Sequence, residues 1–208
     1  GKTSFALSIA KNVAVDYDVP IGFFSLEMNN VQLVNRLISN VCEISGKKIL
    51  NGQLEQPEWE RLDKKLRKLT GAPIYIDDTP GLSVFELRTK ARRLVREKGV
   101  KLLMIDYLQL MNANGMKFGS RQEEVSTISR SLKGIAKELN IPVLALSQLS
   151  RNVENREGLE GKRPQLSHLR ESGAIEQDAD MVLFVHRPEY YHIYQDEKGN
   201  DLHGMAQI

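Results

Sequence analysis

The sequence predicts an α/β fold with a mostly parallel central sheet flanked by helices on both faces. Three observations carry this. Five short apolar runs alternate with helical stretches along the 208 residues. The runs are continuous rather than alternating, as strands buried on both faces require. Each run is bounded by polar or turn residues, and strand–helix alternation is the pattern of parallel sheets. No internal repeat or low-complexity tract interrupts it, so the chain reads as a single domain over 1–208.

The chain opens on Gly1-Lys2-Thr3-Ser4, followed by Phe5, Ala6, Leu7, Ile9 and Ala10 at helical spacing. This matches the second half of the phosphate-cradling signature G-x-x-x-x-G-K-[ST]. In such a loop, backbone N–H groups wrap phosphates, the lysine neutralises them, and the hydroxyl residue binds Mg²⁺. The alternative is an ordinary helix start with a lysine in its first turn. The first run, 20–26 (PIGFFSL), reads as a buried strand, and a helix follows with Val31, Val34, Leu37 and Ile38 on one face. A charged helix spans 57–69. The second strand is 73–76 (PIYI). Ser83-x-x-Glu86 is a capping box that starts a helix with Leu87, Ala91, Leu94 and Val95 on one side. The third strand is 101–105 (KLLMI). Val125, Ile128, Leu132, Ile135, Ala136 and Leu139 form the next helical stripe. The fourth strand is 141–146 (IPVLAL) and the fifth 181–185 (MVLFV). Segments 111–121 and 150–164 lack a period. Loops of that length are functional or simply mobile surface.

Composition excludes several classes. The chain is 41% hydrophobic and 27% charged, an ordinary globular balance. A net charge of +2 is too small to imply nucleic-acid binding, so such a site must come from local basic clusters. Cys42 is the only cysteine, which rules out an intrachain disulfide and fits a reducing cytoplasm. The longest apolar runs are far below the roughly 18 residues of a membrane span. The four histidines supply no structural-zinc ligand set, and His186 and His192 are expected at the surface.

The polar residues at strand ends carry the chemistry. Asp106 ends the third strand, where a carboxylate can hold Mg²⁺ together with Thr3 and phosphate oxygens. The alternative, a turn-capping aspartate, loses ground beside Gly1-Lys2-Thr3. Glu27 follows the first strand and is placed to polarise an attacking water. Its alternative role is that of an acid favoured at the next helix start. Gln148 follows the fourth strand. Its neutral amide can hydrogen-bond a terminal phosphate or a water and so report the phosphate's presence. Arg170, with Arg151, Arg156, Lys162 and Arg163 nearby, offers positive charge to a nucleic-acid backbone, and Gly173 would allow close approach. The same charges are interleaved with acids, as on a solvated surface. Arg187, Tyr190, Tyr191 and Tyr194 line either a base pocket or a subunit edge, with packing the favoured role. Asp77-Asp78 is expected to shape the turn before Pro80-Gly81.

Together, Gly1-Lys2-Thr3, Phe24-Ser25-Leu26-Glu27-Met28, 105–111 (IDYLQLM), 129–139 (SRSLKGIAKEL), 146–149 (LSQL) and 169–180 (LRESGAIEQDAD) resemble the DnaB-type replicative helicases, in order and over essentially the whole chain. The resemblance implies a RecA-like motor domain in a homohexameric ring. It implies ATP and Mg²⁺ as cofactors and 5′→3′ translocation on single-stranded DNA. Gly1, Lys2, Thr3, Ser4 and Arg187 would contact the nucleotide, and Thr3 and Asp106 the metal. Lys2, Glu27 and Gln148 would serve catalysis, and Arg170, Glu171 and Gly173 would follow the DNA. Primase, helicase loader and polymerase complex are the implied partners, and replication forks in the bacterial cytoplasm the implied location. Set against the family pattern, the first strand and half of the phosphate loop are absent before Gly1. The basic finger that reaches the neighbouring site is absent after Ile208. The expectation is therefore that these 208 residues alone hydrolyse ATP weakly. The other readings are a different RecA-like ATPase, such as a recombinase or clock-type ATPase, and a non-catalytic single-stranded-DNA-binding module.

Overall fold

The computed structural model describes residues 1–113, 115, 118–149, 161, 163–167, 169, 173–196 and 198–208. Four parallel strands form one sheet in the order β2-β1-β3-β4, with β1 Ile21–Ser25, β2 Ile74–Asp77, β3 Leu102–Asp106 and β4 Val143–Ala145. The helices are α1 Lys2–Lys11, α2 Asn30–Cys42, α3 Gly46–Asn51, α4 Gln56–Thr70, α5 Val84–Lys98, α6 Arg121–Leu139 and α7 Gly173–Asp178. The last turn of α1 widens into a π-helical segment, Asn12–Asp16.

Side chains alternate across the sheet and feed two cores. Ile21, Phe23 and Met104 face Ala6, Leu7, Leu33 and Leu37 from α1 and α2. Phe24, Leu103 and Ile105 face Leu87, Ala91, Ile128 and Leu132 from α5 and α6. This two-sided burial explains why the strand runs are continuously apolar. All five residues of β1 are buried.

Local signals set the helix ends. The Asn29 side chain accepts from the Gln32 amide at 2.9 Å and starts α2. The predicted capping box is present at α5: Ser83 Oγ accepts from the Glu86 amide at 3.2 Å, and Glu86 Oε2 accepts from the Ser83 amide at 2.9 Å. Gly99 closes that helix at φ 65°, a left-handed turn that disfavours side-chain-bearing residues. A second capping box, Glu55 with Glu58, opens α4.

The fifth predicted strand does not form. Residues 181–185 pair with no strand among the described residues, and Met181 and Leu183 are exposed. Apolar content gives the run its strand signal, but a strand is defined by a hydrogen-bonded partner. The remainder of the C-terminal segment is held by isolated bridges, His186 with Gln207 and Gln195 with Asp201. Segment 111–121 is not uniformly loop-like either: Met111 and Ala113 are buried in the α5/α6 core. Among the described residues no helix is long and apolar enough to cross a membrane.

Candidate active site at the carboxyl edge of the sheet

Parallel strands all deliver their carboxyl ends to one edge, where α/β folds place ligands. Gly1 caps α1, and Lys2 and Thr3 occupy its first turn with no acidic residue beside them. The first amides of a helix lack intrahelical partners and favour an anion.

Asp106 ends β3 and is 1% exposed. Neither carboxylate oxygen has a hydrogen-bond partner. Burial pushes its pKa up, and the charge of Glu27 pushes the same way. The Thr3 hydroxyl, Lys2 and Arg36 pull it down without restoring the ordinary value. The Thr3 hydroxyl is near enough to act on the carboxylate but does not complete a well-directed bond to either oxygen. A buried, unpartnered carboxylate of this kind is costly unless a cation meets it. The donor set fits Mg²⁺: a hydroxyl and a carboxylate, both hard oxygen ligands. No cluster of three or more His, Cys, Asp or Glu residues among the described residues forms an all-protein metal cage.

Lys2 is the complementary charge. Burial lowers its pKa, while Asp106 and Glu27 raise it. Its Nζ lies 5.4 Å from the centre of the Tyr107 ring. Glu27 is exposed, two residues beyond β1. The turn that carries it is fixed at several points. Ser25 Oγ donates to the Met28 carbonyl at 2.7 Å. Asp78 accepts from the Asn30 backbone amide at 2.9 Å and from its side-chain amide at 3.0 Å. Asp78 therefore tethers the start of α2 as well as standing in its own turn. Its neighbour Asp77 accepts from the Thr79 amide at 3.0 Å and from Lys90 Nζ at 2.6 Å.

Gln148 lies past β4 with its side chain exposed at the same edge. Ser4 is exposed, and its carbonyl accepts from Ser8 Oγ, so it takes part in the helix rather than in the convergent cluster. Arg187 is half exposed and pairs with Glu189 at 3.4 Å. The segment that carries it runs beside the loop, since a Cβ on Gly1 would stand 4.0 Å from Val185 Cγ1.

Several expectations need adjusting. His186 is 5% exposed and stacks on Tyr191 with ring centres 5.7 Å apart, so it is not a surface residue. Its backbone exchanges two hydrogen bonds with Gln207, at 2.9 and 2.8 Å. Tyr190 and Tyr194 are 67% and 41% exposed, so packing does not account for them. Tyr194 instead stacks on His203 with centres 4.6 Å apart. Arg151, Arg156, Lys162, Arg170 and Glu171 lie outside the described residues. Arg163 is exposed, and Gly173 opens α7, which packs on α6.

Two residues escaped sequence reasoning. Arg36 sits on α2, off its apolar stripe, and gives no local signal, yet its charge reaches Asp106. Gln109 lies inside the DYLQLM run, and its side chain reaches Ser147 and Gln148. Only a β3–β4 pairing could have revealed that contact.

Sheet order, helix placement and this edge define the class of RecA-like ATPase domains. Known proteins narrow the class. The family described as DnaB-like helicase C terminal domain matches residues 1–207. The replicative DNA helicase DnaC of Bacillus subtilis is 50% identical over 191 residues, covering 92% of this chain and 41% of that protein. The replicative DNA helicase DnaB of Geobacillus stearothermophilus is 48% identical over 198 residues, covering 95% and 43%. A solved DnaB-like replicative helicase, described with its interactions with primase, superposes with a TM-score of 0.87 at 39% identity, covering 99% of this chain and 48% of that one. A second solved structure, described as an ATPase domain, gives 0.86 at 38% identity, covering 100% and 75%. The chain belongs to the DnaB-like helicase C-terminal domain family. It spans about two fifths of the length of the curated relatives it matches.

Proposed function

We propose that this chain is the motor domain of a replicative DNA helicase. In this reading it binds ATP with Mg²⁺, hydrolyses it, and couples hydrolysis to 5′→3′ movement on single-stranded DNA within a ring of six copies. One observation carries the reading: Lys2 and Thr3 on α1 converge with the orphaned, buried Asp106 carboxylate and with Glu27 at the carboxyl edge of a parallel sheet.

The chain's own residues divide the work. The first amides of α1, with Gly1 and Lys2, receive the phosphates. Thr3 and Asp106 would hold Mg²⁺, which when bound offsets charge on the phosphate oxygens. Glu27 accepts a proton from the water whose oxygen attacks the terminal phosphorus, as the bond to the bridging oxygen breaks. Lys2 balances charge on the transferring group. Gln148 hydrogen-bonds the terminal phosphate or the water and marks whether the phosphate is there. Arg187, from the segment beside Gly1, completes the nucleotide pocket. Ser4 is the site residue with the least support.

DNA contact is assigned to Arg170, Glu171 and Gly173 with Arg151, Lys162 and Arg163, on the strength of the family motif. Primase is the partner best supported, because one solved relative is described with its interactions with primase. A helicase loader and the polymerase complex rest on the family resemblance alone. The place of action in this reading is the bacterial cytoplasm, at replication forks.

The test uses the full-length protein. ATP hydrolysis with and without single-stranded DNA, and unwinding of a 5′-tailed duplex, are measured for wild type and Lys2→Ala. Both activities should vanish in the variant. Retention of both by Lys2→Ala would refute the motor reading. DNA binding without either activity in the wild type would favour a non-catalytic binding module.

A further inference from the structure

β3 and β4 end side by side, and one side chain joins the two segments that leave them. After Asp106 the chain makes a short 3-10 turn, Leu108–Leu110, that presents Gln109. Gln109 Nε2 donates to Ser147 Oγ at 2.8 Å and to the Gln148 carbonyl at 3.1 Å. Gln109 Oε1 accepts from the Gln148 backbone amide at 3.2 Å. A single carboxamide thus grips both main-chain groups of Gln148, as a neighbouring strand would. The ladder itself stops earlier, at Ile105 opposite Ala145.

The turn that carries Gln109 is itself anchored. Leu108 donates its amide to the Leu146 carbonyl at 3.0 Å. Arg121 Nη2, at the start of α6, donates to the Gln109 carbonyl at 2.6 Å and to the Met111 carbonyl at 2.9 Å. Arg121 pairs in turn with Glu124, which accepts from the Ala113 amide at 3.0 Å. Gln109 is therefore held from behind and holds Gln148 in front. Its side chain is only half-buried, and the core packs without it.

We propose that Gln109 is a positioning residue for Gln148, fixing its backbone so that its side-chain amide stays aimed at the terminal phosphate. Asp106, the proposed metal ligand, lies three residues before Gln109, so this contact ties the end of β3 to the phosphate-facing segment after β4. The proposal rests on the reading of Gln148 as the phosphate-facing amide. A Gln148 free of its clamp samples more backbone states, and misaligned catalytic groups lose rate rather than ground-state affinity.

The experiment compares Gln109→Ala, Gln148→Ala and the double variant in the full-length protein. Steady-state ATP hydrolysis is read together with hydrogen exchange of the 146–149 backbone. Gln109→Ala should lower kcat about ten- to a hundredfold, with KM for ATP within about twofold of wild type. Exchange over 146–149 should quicken about tenfold while exchange over 21–25 stays unchanged. The double variant should be no slower than Gln148→Ala, because the clamp acts through that residue. Gln109→Glu keeps the acceptor but loses both donors and should fall between wild type and Gln109→Ala. It also serves as the folded test case if the alanine variant does not fold. Wild-type kcat and exchange in both Gln109 variants overturn the proposal, as do rate losses that multiply in the double variant. Wild-type turnover by Gln148→Ala overturns the sensor reading beneath it. The exchange data separate that failure from failure of the clamp, because they do not depend on what Gln148 contacts.

Discussion

The amide of Leu26 donates to the carbonyl of Asp106 at 2.7 Å. It is the last rung between β1 and β3, directly after the Ser25–Asp106 register pair. Glu27 is the next residue, so one backbone bond sets how far its carboxylate stands from the end of β3. The proximity is electrostatic as well, since Glu27 raises the pKa of both Asp106 and Lys2.

Glu27→Gln keeps the size and polarity of the side chain but cannot accept a proton. Its kcat for ATP hydrolysis should fall about 10²–10⁴-fold, with nucleotide affinity close to wild type. A direct binding titration beside steady-state kinetics separates the two effects. A variant that binds weakly but turns over normally would make Glu27 a binding residue instead.

Asp106→Asn should abolish hydrolysis and yet stabilise the protein. A carboxyl group whose pKa is raised by folding opposes folding once it ionises. The sign follows from linkage: between the ordinary Asp value of 3.8 and the raised folded value, the native state binds more protons, so stability falls as pH rises. The penalty grows as pH rises from 3.8 and is complete once the pH exceeds the raised folded value. Removing the charge should contribute about 1 kcal/mol, or about 2–4 °C in Tm for a chain of this size. Thermal melts without nucleotide at pH 7 check it. Adding ATP and Mg²⁺ should then raise the Tm of wild type more than that of the variant.

Asp77 behaves in the opposite sense. Burial raises its pKa, but hydrogen bonds from Lys90 and Thr79 outweigh this, and the net shift is downward. Its contribution is present above the unfolded value of 3.8 and is lost as pH falls through the lower folded value. Lys90→Met should cost about 1 kcal/mol at pH 7, because the pair is only partly buried. The gap between wild type and variant should close below about pH 4. Denaturant melts at pH 7 and at acid pH measure it, and a pH-independent gap would assign the loss to packing.

Much of this was legible in the sequence because the signals were local. Apolar runs marked four of the strands, the Ser83–Glu86 box fixed one helix start, and polar residues at strand ends marked the edge. What was not legible depends on pairs distant in the chain. The run 181–185 has strand composition but no partner strand among the described residues. His186 is buried against Tyr191 and bridged to Gln207, contacts that composition does not encode. Arg36 acts on Asp106 from 70 positions away, and Gln109 meets Gln148 only once β3 and β4 are adjacent. The short helices α3 and α7 carry too few residues for a clear period.

Gly22 is the second residue of β1, between Tyr75 of β2 and Leu103 of β3. A Cβ there would meet Leu103 Cδ2 at 3.0 Å and Leu94 Cδ1 at 3.2 Å. Two effects compete in Gly22→Ala. Alanine restricts the unfolded chain and should stabilise by about 0.4–1 kcal/mol where the backbone permits it. Overpacking a dense core costs about 1–3 kcal/mol. Leu103 is fully buried in the α5/α6 core and has little room to retreat, so the second effect should win. The net loss should be about 1 kcal/mol, read as a lower denaturation midpoint at unchanged slope. Leu94 is only half-buried, so trimming it opens space on that side. Gly22→Ala with Leu94→Ala should therefore be less destabilised than the sum of the single changes, by at least about 0.5 kcal/mol. Strict additivity would mean that the new methyl group is absorbed by a shift of β1 itself. That shift would carry Ser25 and Glu27 with it, and kcat would fall in the single variant before stability did.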